Sequence, residues 1–106
     1  MTSYLVVLTT FPNIDTAQRI AQEIVQAKLA ACVNILPQGQ SVYVWEGKNC
    51  IENELVALIK TTENNYLELE LFLQQLHPYE LPEIIATPIT NGAKNYLQWI
   101  TSNTKP

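Results

Sequence analysis

Apolar residues change their spacing along this chain, and each change marks an element. Tyr4-Leu5-Val6-Val7-Leu8 is an unbroken run of strand formers, which predicts a central strand covered on its faces. The period then lengthens. Ala17, Ile20, Ala21, Ile24 and Val25 fall at helical spacing, with Gln18, Arg19, Gln22, Glu23 and Gln26 on the opposite side. Asp15, followed three residues later by Gln18, reads as a capping box, and Pro12-Asn13 supplies the turn before it. Cys32 to Leu36 is a second strand. Pro37-Gln38-Gly39 should bend or interrupt it before Val42-Tyr43-Val44-Trp45 resumes, and the proline predicts an edge strand or a bulge. A turn at Glu46-Gly47-Lys48-Asn49 and a third strand over Leu55 to Ile59 complete a long hairpin.

Tyr66 to Leu73 alternates like a strand, yet its composition is helical. Leu, Glu and Gln are good helix formers, β-branched residues are absent, the pattern runs on through Leu76, and Thr62 can cap the start. One face then holds Tyr66, Leu69, Phe72, Leu73 and Leu76. Leu67 and Leu71 lie on the far side, to be covered by a partner subunit or by a loop or the C-terminus. Ile84-Ile85-Ala86 is a short fourth strand ended by Pro88, and Tyr96 to Ile100 a short terminal helix. The order βαββαβ plus a tail predicts one α+β domain over residues 1–106. It is a ferredoxin-like sandwich with an antiparallel sheet and both main helices on one face.

Composition adds a partner to this picture. Charged residues make up 15% of the 106 residues, against about 25% in typical domains, so part of the surface should be covered by another subunit. The net charge is -4 and the basic residues are scattered, which excludes a nucleic-acid footprint. No apolar run approaches the roughly 20 residues of a membrane span. Tyr4 to Leu8 is too short for a secretory signal, so a cytoplasmic protein with reduced thiols is expected. Cys32, inside an apolar run, reads as a small core hydrophobe; Cys50 lies beside the hairpin turn.

Candidate chemistry concentrates in His77-Pro78-Tyr79-Glu80-Leu81-Pro82-Glu83. It holds the only histidine, the one side chain whose ordinary titration falls near neutrality. The prolines should hold His77 and Leu81 extended and stiffen the segment. Such a brace either presents ligands, with Glu80 and Glu83 helping His77 hold a metal, or simply links a helix to a strand. No activated nucleophile with its base is identifiable, so catalysis is not expected. An RNA-recognition domain would need aromatics where the third strand reads Glu54 to Lys60, and a Cys-x-x-Cys metal carrier would need thiols where Thr9-Thr10-Phe11-Pro12 stands. Tyr43, Trp45, Glu46 and Lys48 crowd the hairpin end, as a pocket wall or, by their aromatic content, an interface anchor.

The wording of the chain also resembles the CutA family of divalent-cation tolerance proteins. The similar stretches are Leu29-Ala30-Ala31-Cys32-Val33-Asn34-Ile35, Tyr43-Val44-Trp45-Glu46-Gly47-Lys48, Ile59-Lys60-Thr61-Thr62, His77 to Ile84, and Tyr96 to Ile100, in order and over nearly the whole chain. The resemblance implies a tight homotrimer whose long hairpins pair across subunits, and a cytoplasmic role in tolerance of copper and other divalent cations. It implies copper ligands at the end of the first strand and in two consecutive histidines before Pro-Tyr. Here those positions read Thr9 and Leu76, so only His77 carries over. No obligatory cofactor is expected, and any metal should be held weakly or conditionally. The alternatives are a PII-like small-molecule or signalling module, with an inter-subunit cleft lined by Trp45, Lys60, Tyr79 and Glu83, or a trimeric scaffold for a protein partner.

Overall fold

A computed structural model describes residues 2–106. Its elements are β1 (Tyr4–Phe11), α1 (Ile14–Gln26), β2 (Cys32–Ile35), β3 (Gly39–Trp45), β4 (Lys48–Thr62), a 3-10 turn (Glu63–Asn65), α2 (Tyr66–Leu76), β5 (Ile85–Pro88) and α3 (Lys94–Ser102). The sheet runs β2-β4-β1-β5, with every neighbouring pair antiparallel and β3 paired to the outer part of β4. This is the expected ferredoxin-like order. Val7, Phe11 and Ile59 point from the central strands onto Ile20 and Ile24 of α1 and Leu69 and Leu73 of α2, all essentially buried. Each such side chain contributes about 1.5–3 kcal/mol on burial. Leu67 and Leu71 stand on the outer face of α2, as the helical reading of that segment requires.

Several boundaries differ from the sequence reading, each for a local reason. α1 is capped two residues earlier than the Asp15 capping box: Asn13 Oδ1 accepts the Thr16 N–H at 2.8 Å. Asn is as good a cap as Asp, and the extended backbone of Asn13 suits it. The helix ends in a Schellman arrangement, with Leu29 N–H on Ile24 O, Lys28 N–H on Val25 O, and Lys28 in the left-handed region at φ 59°. Thr62 precedes the 3-10 turn but makes no capping bond; its hydroxyl instead accepts Asn65 Nδ2–H at 2.8 Å.

The hairpin is longer than predicted, because β4 runs unbroken from Lys48 to Thr62. Its turn is the two residues Glu46-Gly47, at φ 51° and 78°, the pair of left-handed residues that matches strand twist in a tight hairpin. Leu36 donates to Val56 O, Gly39 pairs with Glu54, and Pro37 and Gln38 together stand opposite Leu55. Two residues against one is the expected bulge, placed where proline has no N–H to give. Beyond it the arm projects from the body, and the molecule measures 44 × 25 × 23 Å.

α3 takes the face of the sheet opposite α1 and α2. Tyr4, which alternates away from the core, is joined through its hydroxyl to Thr101 Oγ1 at 2.6 Å, and Ile100 is fully buried. Cys32 alternates to that same face. It is half-buried rather than a core residue, because Val33 and Ile35 are the β2 side chains that meet the core.

Candidate functional site

β-strand alternation decides which side chains of the arm can meet. Trp45, Tyr43 and Ser41 share one face of β3, and in register across from Tyr43 and Ser41 stand Cys50 and Glu52 of β4, with Glu54 two residues on. That face forms one wall of an open groove of about 1050 Å³. The connector from α2 to β5 forms the other, through Tyr79, Glu80, Leu81 and Glu83. The opposite face of the arm holds Val42, Val44 and Ile51, which are 73%, 65% and 65% exposed.

His77 sits behind the groove, buried at the end of α2 with the extended backbone that the following proline imposes. Its Nε2 lies 2.7 Å from Thr10 O, which can only accept, so Nε2 carries the proton. Nδ1 then accepts the Tyr79 N–H at 3.2 Å. The ring stacks on Phe11 at a centroid distance of 5.1 Å and tilts against Tyr79 at 4.8 Å. Burial pushes the imidazole pKa below its ordinary value, against smaller opposing effects of the Thr10 carbonyl and the Glu54 charge. His77 is thus held neutral with both nitrogens engaged.

The cycle closes through a residue that sequence reading did not single out. Glu54, 8% exposed, accepts the Tyr79 hydroxyl at 2.6 Å and the Thr10 hydroxyl at 3.3 Å on one oxygen, Oε2. Thr10, Glu54, Tyr79 and His77 therefore form a closed ring of hydrogen bonds joining β1, β4 and the connector. Burial and the bond to Glu54 push the Tyr79 phenol well above its usual range, so it stays a donor. The available signal was a carboxylate two residues after Glu52, at the mouth of the apolar run Leu55 to Ile59. What hid it was that its donors come from residues 44 and 25 positions away.

Of the residues expected at a site, Trp45, Tyr79, Glu80 and Glu83 all line the groove. Lys60 does not. It lies opposite Val6 and Cys32 on the α3 face, with its ammonium on Asn34 Oδ1. Within one chain the four cleft candidates are therefore split three to one, because Lys60 lies six residues beyond Glu54 along β4, about 20 Å away. Thr9, near the end of β1, is fully buried and its hydroxyl has no partner among the described residues. Among the described residues no group of three or more His, Cys, Asp and Glu side chains converges to hold a metal ion, so one subunit does not form a closed metal cage.

Known proteins share this architecture and sequence. The chain is 44% identical to the divalent-cation tolerance protein CutA of Thermus thermophilus, over 93% of this chain and 96% of that one. It is also 44% identical to a chloroplastic CutA of Arabidopsis thaliana, covering 95% of this chain and 56% of that protein's length. A crystal structure of CutA1 from Shewanella superposes with a TM-score of 0.94 at 44% identity, covering 97% of this chain and 96% of the other. CutA1 from Oryza sativa gives 0.94 at 42%, covering 97% and 94%. The sequence model of the family described as CutA1 divalent ion tolerance protein matches residues 5–103, so this chain belongs to the CutA family of divalent ion tolerance proteins.

Proposed function

We propose that this protein serves divalent-cation tolerance in the cytoplasm as a non-catalytic homotrimer that binds copper or another divalent cation weakly and conditionally. Family membership supports the tolerance role. The observation that carries the conditional binding is the engagement of both His77 nitrogens. A cation reaching Nδ1 competes with the Tyr79 N–H, while Glu80 and Glu83 on the same connector offer carboxylate help. Thr9 and Leu76 add neither thiolate nor imidazole, so affinity rests on these weaker donors. The trimer is supported by the arm, whose bare Val42, Val44 and Ile51 face and unpaired β3 edge invite a second chain.

Titrating copper into wild type and His77→Ala, with circular dichroism as the folding control, tests the ligand. Weaker binding by the variant is expected, and equal isotherms would remove His77 from the role. Light scattering should give three chains per particle.

A second reading, a small-molecule or signalling module, is favoured by the groove itself, whose aromatic wall exceeds the needs of a bare ion. A metabolite that raises the melting temperature where divalent metals do not would select it.

A further inference from the structure

We propose that Asn91 is a self-modifying site, which loses its side-chain amide to leave aspartate and isoaspartate in the loop ahead of α3. The chemistry is intramolecular. The main-chain nitrogen of the following residue attacks the side-chain Cγ, and the step is fast only where that residue is glycine, because a Cβ crowds the five-membered ring that forms. Asn91-Gly92 is the one Asn-Gly pair in the chain. Structure then separates it from the other asparagines, which lie in strands, helical turns or helix caps, where ordered backbone resists the bend that the attack needs. Asn91 and Gly92 are exposed and fall between β5 and α3, outside both. Among the described residues the Gly92 N–H donates to no backbone carbonyl, and the Asn91 amide makes a single contact, Nδ2 to Thr90 Oγ1 at 3.5 Å, the outer limit of a hydrogen bond. Nucleophile and target are both free to meet.

The atoms balance with water as the only co-reactant. Solvent base takes the Gly92 N–H proton, the nitrogen bonds to Asn91 Cγ, the Cγ–Nδ2 bond breaks, and Nδ2 departs as ammonia. Water then opens the imide ring. Attack at Cγ gives aspartate, and attack at the Asn91 main-chain carbonyl gives isoaspartate, with the chain rerouted through Cβ and Cγ. Either product adds a negative charge ahead of α3, whose N-cap Ala93 offers no side-chain cap and whose first turn holds no acidic residue. Isoaspartate also lengthens the main chain. A Cβ on Gly92 would stand 3.1 Å from the Leu97 side chain, so an extra methylene beside it displaces the entry to α3. The loop leaves the sheet at Tyr4, where Ile89 N–H donates to Tyr4 O, whereas the arm starts past Phe11 at the other end of β1, about 23 Å away. The bare face of a chain's own arm is therefore remote from its Asn91.

The test incubates the full chain in its assembled state, in mildly alkaline and in mildly acidic buffer, with a urea-unfolded sample alongside, and maps each digest by mass spectrometry. A gain of about 1 Da is expected in the peptide holding Asn91 and in no other, as two chromatographic peaks that grow faster in alkali. One of the two should accept a methyl group from a protein-isoaspartate carboxyl methyltransferase. Asn91→Gln should lose the signal, because its longer side chain would have to close a larger ring, and Gly92→Ala should slow it. An amide retained in the assembled protein while the unfolded sample converts would mean that the fold or the neighbouring subunits protect Asn91, and overturns the proposal. Conversion spread over other asparagines, a signal that survives in Asn91→Gln, or an undiminished rate in Gly92→Ala overturns it too.

Discussion

β4 passes through two regions that treat the same kind of residue in opposite ways. In the body, Ala57 and Ile59 are buried in the core with α1 and α2; in the arm, Ile51 of the same strand is 65% exposed. Nothing in the letters distinguishes Ile51 from Ile59. The difference is that helices cover one face of the inner half, while neither main helix reaches the outer half. A strand pair without such cover is marginal alone, so the arm's stability belongs to whatever packs on it. The body is a finished core, and the arm has an uncovered apolar face and one wall of a groove.

The comparison can be broken most drastically at the arm. Val44→Lys with Ile51→Lys puts two charges on its bare apolar face. Light scattering is expected to show loss of the proposed homotrimer, while helical circular dichroism from α1 and α2 persists at room temperature. A trimer that tolerates both lysines would mean that this face is not the interface. In the body the corresponding change is Leu73→Ala, at a fully buried position, with an expected loss of about 2–5 kcal/mol in urea unfolding.

The hydrogen-bond ring joining the two regions gives intermediate effects. Tyr79→Phe removes the donor to Glu54 and should lower stability by about 1 kcal/mol. His77 adds a pH dependence. Because burial lowers its folded-state pKa, the unfolded chain binds the proton more tightly, and stability falls as pH drops below about 6.5 and on through the folded value. Melting temperatures should therefore decline between pH 7.5 and 5.5 in wild type, and the slope should flatten in His77→Gln.

The smallest effects lie at the two non-glycine residues forced into the left-handed region, Lys28 in the body and Glu46 in the arm. That conformation costs about 1–2 kcal/mol, and glycine gives back about 0.5–1 in unfolded-state entropy. Lys28→Gly should thus stabilise by a few tenths of a kcal/mol. Glu46→Asn should do likewise, and a larger gain at Glu46 would identify the turn as a strained point of the arm.

Much of this fold was legible from spacing. The helical spacing of Ala17 to Val25, the helix-forming composition of Tyr66 to Leu76, and the proline break in the hairpin are local properties, and local properties survive folding. The capping residue of α1 and the start of β4 were missed because several adjacent residues satisfied the same local rule. The candidate site divided along a similar line. Tyr79, Glu80 and Glu83 announce themselves between prolines, but Lys60 could be assigned to the same cleft only until its place on β4, six residues beyond Glu54, took it out of the groove.

Sequence by itself determined the element order, the ferredoxin-like sandwich, the isolation of one histidine in a braced connector, and the family resemblance. Tertiary structure alone decided that His77 is neutral and fully engaged, that Glu54 rather than Glu80 is the buried carboxylate, and that the arm has one groove face and one bare face. The physical reason is range. Periodicity and proline act over a few residues, whereas the protonation of His77 and the burial of Glu54 depend on partners 67 and 44 positions away, brought to hydrogen-bonding distance only when β1, β4 and the connector meet.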